Sequence, residues 1–180
     1  KNSLSIAPMM DRTDLHFRNF MRLITKHTLL YTEMIHANAI IHDKNNRFDI
    51  EQNCDGPNAI QIGCSDPKEA TKFAKKIKNY TFNEININCG CPSNKVINGD
   101  FGAILMKKPK LVTEIVHSIK EYTNIPVTVK TRIGIDNIDN KEFLYKFIEE
   151  LNNVNVKKII IHARKAILKG LSPHENRTIP

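Results

Sequence analysis

The sequence predicts an α/β fold, a TIM (β/α)8 barrel of which about the first six βα units are present in this chain. Two observations lead to this prediction. Short β-branched segments alternate with amphipathic segments along the chain, and the β-branched segments carry polar residues on one of their two faces. A doubly wound sheet would bury both faces under helices and would be more continuously apolar. A barrel instead directs side chains inward, towards a site at the carboxyl ends of its strands.

Six segments have the composition and the alternation of strands. They are LSIAP (4–8), LLYTEM (29–34), NAIQIG (58–63), EININCG (84–90), PVTVKTRIG (126–134) and KKIIIHAR (157–164). Apolar residues at helical spacing predict helices over 14–25, 66–80, 110–123 and 140–154, with a shorter helix over 37–42. Asp14 and Asp66 occupy N-cap positions. Strict alternation of strands and helices indicates parallel strands joined by right-handed crossovers.

The fourth strand shows how the two faces separate. Ile85 and Ile87 point to one face, and Asn86 and Asn88 point to the other. Cys89 has the phase of the two isoleucines, so we expect it to pack in the core. The polar residues of the strands concentrate towards their carboxyl ends, where a barrel has its active site.

Length and composition set the domain organisation. A usual barrel needs about 250 residues, so a chain of 180 residues is expected to lack the last two βα units. No stretch approaches the roughly 20 apolar residues of a membrane span, and the start has no signal-peptide pattern. We therefore expect a cytoplasmic protein without a membrane partner. An organellar location stays open because the first residue is Lys1 rather than methionine.

The chain is basic, with 27 lysines and arginines against 19 acids and a formal charge of +8. Such an excess favours an anionic partner such as a nucleic acid. A general enrichment in asparagine and lysine is the alternative source of this charge.

Four cysteines are too few and too scattered for a secreted disulfide framework, and their spacing does not fit structural zinc. Cys91 lies between Gly90 and Pro92 in INCGCPS, where the proline restricts the backbone at the end of the strand. A thiol there can act as a nucleophile, a metal ligand or a proton donor, or it can be inert.

Four cationic side chains follow the last two strands: Lys130, Arg132, His162 and Arg164. Glu33 is the only carboxylate expected on the same rim. Unbalanced cations on one face require an anionic or electron-rich ligand. The amides of Gln61, Asn86 and Asn88 suit an amide-bearing ring, so the site is predicted to hold a planar heterocycle that carries phosphate.

The segment NGDFGAILM (98–106) follows the cysteine loop, and its glycines permit left-handed backbone. It is either a mobile flap beside Cys91 or an ordinary connection from a strand to a helix.

Several motifs in this order resemble the tRNA-dihydrouridine synthase family over essentially the whole chain. They are APMMDRTD, LLYTEM, INCGCPS, VTVKTRIG and IIHAR, and the longer matches TRIGID and HARKAILKGLSPHENRTIP are most similar to the A-type bacterial branch. The resemblance implies a TIM barrel that uses FMN, with NADPH as reductant, to reduce uridine to 5,6-dihydrouridine in the D-arm of tRNA. Cys91 would protonate uracil C5 while hydride from flavin N5 reaches C6.

The resemblance also implies the binding residues. Those for FMN would be Pro8, Met9, Met10, Gln61, Lys130 and His162. Those for the substrate would be Asn88, Arg132, Arg164 and Lys165. Residues 1–180 would form the N-terminal and central part of the catalytic domain, without the last βα units and the C-terminal helical tRNA-binding domain of the family. We expect a monomer.

Two other functions compete with this one. A lysine inside a barrel can form a Schiff base, so Lys130 would serve an aldolase whose amine pKa is lowered by Arg132. The charge alone would suit a non-catalytic RNA-binding module, which leaves Cys91 and Lys130 without a role.

Overall fold

Six strands form one parallel sheet whose spatial order is the order of the chain. The structure, a computed structural model, describes residues 4–44, 54–93, 96, 98–172 and 174–178. The strands are β1 (Ser5–Ile6), β2 (Leu29–His36), β3 (Asn58–Gly63), β4 (Glu84–Cys89), β5 (Val127–Arg132) and β6 (Ile159–His162). The helices are α1 (Leu15–Ile24), α2 (Ala37–Ile41), α3 (Pro67–Ile77), α4 (Pro109–Lys120) and α5 (Lys141–Asn153). Two 3-10 helices cover Gly102–Lys107 and Glu175–Arg177.

The sheet is curled, and the predicted partial barrel is confirmed. In a flat sheet β2 and β6 would lie about 19 Å apart, because neighbouring strands are roughly 4.8 Å apart. The Lys158 Nζ, at the start of β6, nevertheless lies 3.5 Å from the hydroxyl oxygen of Tyr31 in β2. Ile160 of β6 also packs on Leu29, Tyr31 and Ala59 of the second and third strands. Consecutive strands therefore curve towards one another around a common interior.

Side-chain caps start three of the helices, two of them at the predicted N-cap positions Asp14 and Asp66. Asp14, Asp66 and Asn140 each accept a hydrogen bond from a backbone N–H of the first turn at 2.8 Å. Helices α3 and α4 end earlier than predicted, because Tyr80 and Tyr122 donate their backbone N–H groups to carbonyls three residues before them. These tight turns close the helices before the next strand begins.

The outer face of the sheet forms the main core with the helices. The outer-face residues that pack against the helices include Ile60, Ile62, Ile85, Ile87, Cys89, Val127 and Val129, all buried. Phe73 of α3 and Ile115 of α4 are also fully buried in this cluster. Burying each such side chain contributes about 1.5–3 kcal/mol. This confirms the predicted division of the strands into an apolar and a polar face, and the packing role predicted for Cys89.

The segment 98–106 is a connection between β4 and α4 rather than a flap. Phe101, Ala103, Leu105 and Met106 are buried in the core cluster, and residues from Gly102 onwards form a 3-10 helix. Among the described residues, no helix is both long and apolar enough to cross a bilayer.

Gly63, the last residue of β3, is a sensitive point of the packing. A Cβ at this position would lie 2.5 Å from two ring carbons of Phe101. The ring packs edge-on against His36 with its centroid 4.9 Å away, so it has little room to move. We expect Gly63→Ala to lower the free energy of unfolding by about 2 kcal/mol, measured by urea denaturation.

The control for that substitution is the double variant Gly63→Ala/Phe101→Leu. If the clash with the ring is the cause, the alanine costs much less in protein that already carries Phe101→Leu. Strictly additive effects of the two substitutions would contradict the explanation.

Candidate active site

The loop after β4 holds Cys91 at the carboxyl end of the sheet. The side-chain oxygen Oδ1 of Asn88 accepts hydrogen bonds from the backbone N–H groups of Gly90 at 3.1 Å and Cys91 at 2.9 Å. On the other side of the loop, the Ala103 N–H donates to the Cys91 carbonyl at 2.9 Å. Gly102 permits this approach, because a Cβ there would lie 2.7 Å from the same carbonyl oxygen. The thiol is therefore carried by a backbone fixed on both sides.

The Cys91 thiol is half-buried and protonated at neutral pH. Burial raises its pKa, while a backbone hydrogen bond at Ser93 and the charges of Arg132 and Lys130 act in the opposite direction. The first effect keeps the proton on sulfur, and the nearby cations lower the cost of releasing it. A thiol in this setting suits proton donation better than nucleophilic attack.

The other three cysteines are buried and have no comparable setting. Cys89 has no exposed surface, and burial strongly raises its pKa. Burial also raises the pKa of Cys64 to about 11. Only Cys91 combines partial exposure with neighbouring cations, so the structure agrees with the distinction drawn between the two cysteines of the loop.

Lys130 lies at the end of β5 beside Cys91. Burial lowers the pKa of its amine, and the positive charge of Arg132 lowers it further. Within the part of the chain that the structure describes, no side chain or carbonyl accepts a hydrogen bond from this amine. A half-buried cation without an acceptor is suited to a ligand that supplies one.

Arg132, by contrast, is committed to the protein itself. Its side chain is buried, with 5% of the residue exposed. Nε donates to the carbonyl of Gly90 at 3.1 Å, and Nη1 donates to the carbonyls of Lys165 at 3.1 Å and Asn176 at 3.3 Å. Arg132 thus joins the cysteine loop to the long segment after β6. Any contact with a ligand is additional to this role, which the sequence did not reveal.

His162, at the end of β6, is held neutral. Burial lowers its pKa to about 4, and the charges of Arg132, Lys130, Arg164 and Arg177 reinforce the effect. No carboxylate among the described residues forms an ion pair with His162 or Lys130. An anion bound here would relieve the repulsion among these groups.

Lys165 is placed differently from the cations at the strand ends. Its Nζ lies 3.3 Å from Oδ2 of Asp139 in the loop before α5, and this pair is partly exposed. The pairing reduces the positive charge that Lys165 can offer to a ligand. The charge of Arg164, by contrast, lowers the pKa values of Arg132 and His162.

The amides on the inner face bond to one another. Gln61 Nε2 donates to Asn86 Oδ1 at 2.7 Å, and Gln61 Oε1 accepts from Asn88 Nδ2 at 2.9 Å. The chain continues downwards, since Asn86 Nδ2 donates to the Thr128 hydroxyl at 2.7 Å and Thr128 donates to Glu84 Oε1 at 3.0 Å. One N–H of Gln61 and one lone pair of its oxygen take no part in this chain, and the residue is 1% exposed.

Residues 8–10 follow β1 at the same end of the sheet. The Met9 backbone N–H donates to the hydroxyl of Thr13 at 3.0 Å, which fixes the turn. Met9 is 42% and Met10 is 55% exposed. Glu33 accepts a hydrogen bond from the Asp11 N–H, so the rim carboxylate is engaged with this loop. Exposed thioethers at this end of the sheet suit a flat ring with an apolar face.

Comparison with known proteins shows the family of this chain. The sequence profile of the dihydrouridine synthase (Dus) family matches residues 5–180. The chain belongs to the dihydrouridine synthase family. It is 50% identical over 179 residues to a Synechocystis protein named tRNA-dihydrouridine(20/20a) synthase, which covers 99% of this chain and 54% of that protein.

Two further relatives with the same name give the same picture. The Vibrio parahaemolyticus protein is 51% identical, over 98% of this chain and 54% of its own length. The Escherichia coli protein is 50% identical, over 98% of this chain and 53% of its own length. The chain thus spans about half the length of the dihydrouridine synthases that it matches.

The sequence interpretation missed three inner-face residues of this family member, Tyr31, Glu84 and Lys158. They meet Thr128 below the amides. Glu84 forms an ion pair with Lys158 at 2.9 Å. It lies two residues before Asn86, so the same alternation that placed the asparagines inside would have placed this carboxylate there. Among the described residues, no group of acidic, histidine and cysteine side chains could hold a metal ion.

The pKa of His162 provides a test of the electrostatics. In ligand-free protein, the NMR titration of its ring protons is expected to have a midpoint at about 4. Because the folded-state pKa lies below the ordinary 6.5, its contribution to stability is present above pH 6.5 and is lost as the pH falls towards 4.

Two substitutions distinguish the cause. Arg164→Gln removes a charge that acts on His162 and is expected to raise the midpoint. Lys169→Gln removes an exposed charge that does not act on it, so the midpoint stays the same. Equal midpoints in wild-type protein and Arg164→Gln would refute the role of neighbouring charge.

Proposed function

We propose that residues 1–180 are the N-terminal and central part of a flavin-binding catalytic barrel that reduces uridine to 5,6-dihydrouridine in the D-arm of tRNA. The observation that carries the proposal is a protonated thiol, Cys91, beside Lys130 and Arg132 on a rim with few acids. The names of the relatives support the tRNA substrate. We place the protein in the cytoplasm, as a monomer, with its tRNA substrate.

The residues present fit FMN as cofactor. Lys130 offers an unpaired donor to an electron-rich ring edge, and flavin binding would have to open a path to the N–H and the lone pair of Gln61 that the amide chain does not use. Met9 and Met10, with Pro8 before them, offer apolar contact. The neutral His162 and its cationic neighbours favour a phosphate. When bound, FMN supplies hydride from its N5 to uracil C6, and NADPH reduces it again.

The residues of this chain supply the proton and stabilise the charge that remains. Reduction adds one hydride at C6 and one proton at C5, and it removes the double bond between these carbons. The Cys91 S–H bond breaks, its proton goes to C5, and its electron pair remains on sulfur. Lys130 and Arg132 stabilise the thiolate, which takes a new proton from water.

Four residues would bind the substrate: Asn88, Arg132, Arg164 and Lys165. Asn88 and Arg132 hold the Cys91 loop from both sides, so they set where uracil C5 must lie. Arg164 and Lys165 are on the segment after β6, where they can meet tRNA phosphates. The net charge of +8 supports a polyanionic substrate.

One observation favours a second function. The lowered pKa of the Lys130 amine would also suit a Schiff-base aldolase. Borohydride trapping of Lys130 with a keto substrate would support that alternative. It gives no role to the thiol of Cys91, and we rank it below the synthase.

The first test is the visible spectrum of the intact protein, followed by identification of the chromophore released on heating. We expect a flavin spectrum and FMN. A colourless protein that takes up no added FMN would refute the proposed cofactor and with it the proposed reaction.

The second test is a matched pair of cysteine variants. Cys91→Ala is expected to lower kcat for tRNA reduction by about 10²-fold or more, because the proton donor is lost. Cys89→Ala, two residues away in the core, should leave kcat of the folded protein unchanged. Flavin content, read from the spectrum, controls for a change in cofactor binding. Comparable kcat values for the Cys91 variant and wild type would exclude the thiol as the acid.

A further inference from the structure

We propose that Thr128 and Glu84 are positioning residues for Cys91, through a directed chain of hydrogen bonds that crosses the inner face of the sheet. At its upper end the chain reaches the Asn88 amide, which holds the loop of the proposed proton donor. The inference rests on the proposed function only in taking Cys91 as the proton donor. The hydrogen bonds themselves do not depend on that function.

Every bond of the chain donates towards Glu84. The steps are Cys91 N–H to Asn88 Oδ1, Asn88 Nδ2 to Gln61 Oε1, Gln61 Nε2 to Asn86 Oδ1, Asn86 Nδ2 to the Thr128 hydroxyl, and Thr128 to Glu84 Oε1. The distances lie between 2.7 and 3.0 Å. Four side chains on three adjacent strands thus connect the Glu84 carboxylate to the cysteine loop.

Chemistry at both ends imposes this single direction. At the upper end, the backbone N–H groups of Gly90 and Cys91 can only donate, so Asn88 must present its oxygen to them. At the lower end, a carboxylate can only accept, so the Thr128 hydroxyl must donate to Glu84. The three amides between them have only one orientation that satisfies both ends.

Glu84 is itself held in place as an acceptor. Lys158 Nζ lies 2.9 Å from its Oε2, and the Tyr31 hydroxyl donates to its Oε1. Burial and the neighbouring Glu84 raise the pKa of Tyr31, so its hydroxyl keeps the proton that it donates. Hydrogen bonds in a chain that ends on a charged acceptor strengthen one another when their side chains are buried.

The consequence concerns the amide of Asn88. If the Thr128 hydroxyl is removed, the buried Nδ2 of Asn86 has no acceptor, and only the two loop N–H groups still favour the present orientation of the amides. Relieving that unpaired donor would invert the amides in turn, and an inverted Asn88 would turn its NH2 towards two N–H donors and release the loop from its side chain. Cys91 would then become more exposed, and its thiol would react faster.

Thr128→Val tests this step, because valine has nearly the same shape and no hydroxyl, at a position that is 1% exposed. The readout is the rate of alkylation of Cys91 by iodoacetamide as a function of pH, followed peptide by peptide in protein without added flavin. We expect the rate near neutral pH to rise about threefold or more, which corresponds to half a pKa unit of the thiol. Thr128→Ser keeps the hydroxyl and should restore the wild-type rate.

The matched control is Thr131→Val, on the same strand. Thr131 is fully buried, but its hydroxyl bonds to the backbone carbonyls of Cys89 and Arg132 and lies outside the chain. This variant should leave the alkylation of Cys91 unchanged, even if it unfolds at a lower temperature. Equal acceleration by Thr128→Val and Thr131→Val, or no acceleration by Thr128→Val, would overturn the proposal. If Thr128→Val does not fold, Glu84→Leu, which removes both acceptor oxygens, supplies the same test, with wild-type alkylation as the overturning result.

Activity of the flavin-loaded protein gives the second readout. Thr128→Val should lower kcat about tenfold with little change in KM, since a displaced proton donor affects the chemical step. The alkylation experiment needs neither flavin nor tRNA. Absence of FMN from the wild-type protein would therefore refute the proposed function alone, and unchanged alkylation in Thr128→Val would refute the positioning chain alone.

Discussion

The curl of the sheet shuts polar side chains away from water, and each of them needs a partner inside the protein. Gln61, Asn86 and Thr128 are at most 1% exposed. They stand in one row because the strand register pairs Gln61 with Asn86 and Asn86 with Thr128. A slip of one residue would turn these groups to the outer face and isoleucines inward. Satisfying the inner face therefore fixes the register of β3, β4 and β5, and the register in turn fixes where each strand delivers its last side chain.

The carboxyl end of the sheet has the opposite character, since its charges are left unbalanced. Lys130, Arg132 and His162 each have a pKa lowered by burial and by neighbouring positive charge. The carboxylate of Glu84 lies at the other end of the inner face, where it binds Lys158. Because of this separation, the charges of the lower interior are paired, whereas the upper rim is stabilised only when an anion binds. The Cys91 thiol lies in that rim, so the electrostatic conditions for binding a ligand and for releasing a proton are the same.

The alternation of apolar and polar residues predicted most of the fold, because a strand that buries one face has an apolar residue at every second position. The bounds of β3 agree with the sequence, and Asn86, Asn88 and Cys91 lie where alternation and the proline placed them. The partners of Arg132 could not be predicted, since backbone carbonyls carry no sequence signal and two of them come from a segment more than 30 residues away. The pairing of Lys165 with Asp139 across 26 residues was equally invisible. Long-range contacts of this kind depend on loop geometry rather than on periodicity.

The guanidinium of Arg132 has a mechanical consequence. It is bonded to a carbonyl in the loop after β4 and to two carbonyls in the segment after β6, so these two segments cannot drift apart independently. Motion on the microsecond-to-millisecond scale would have to be correlated between them. A ligand that orders the segment after β6 would, through this one side chain, also narrow the positions available to the Cys91 sulfur. The loop after β4 and the segment after β6 would therefore move together.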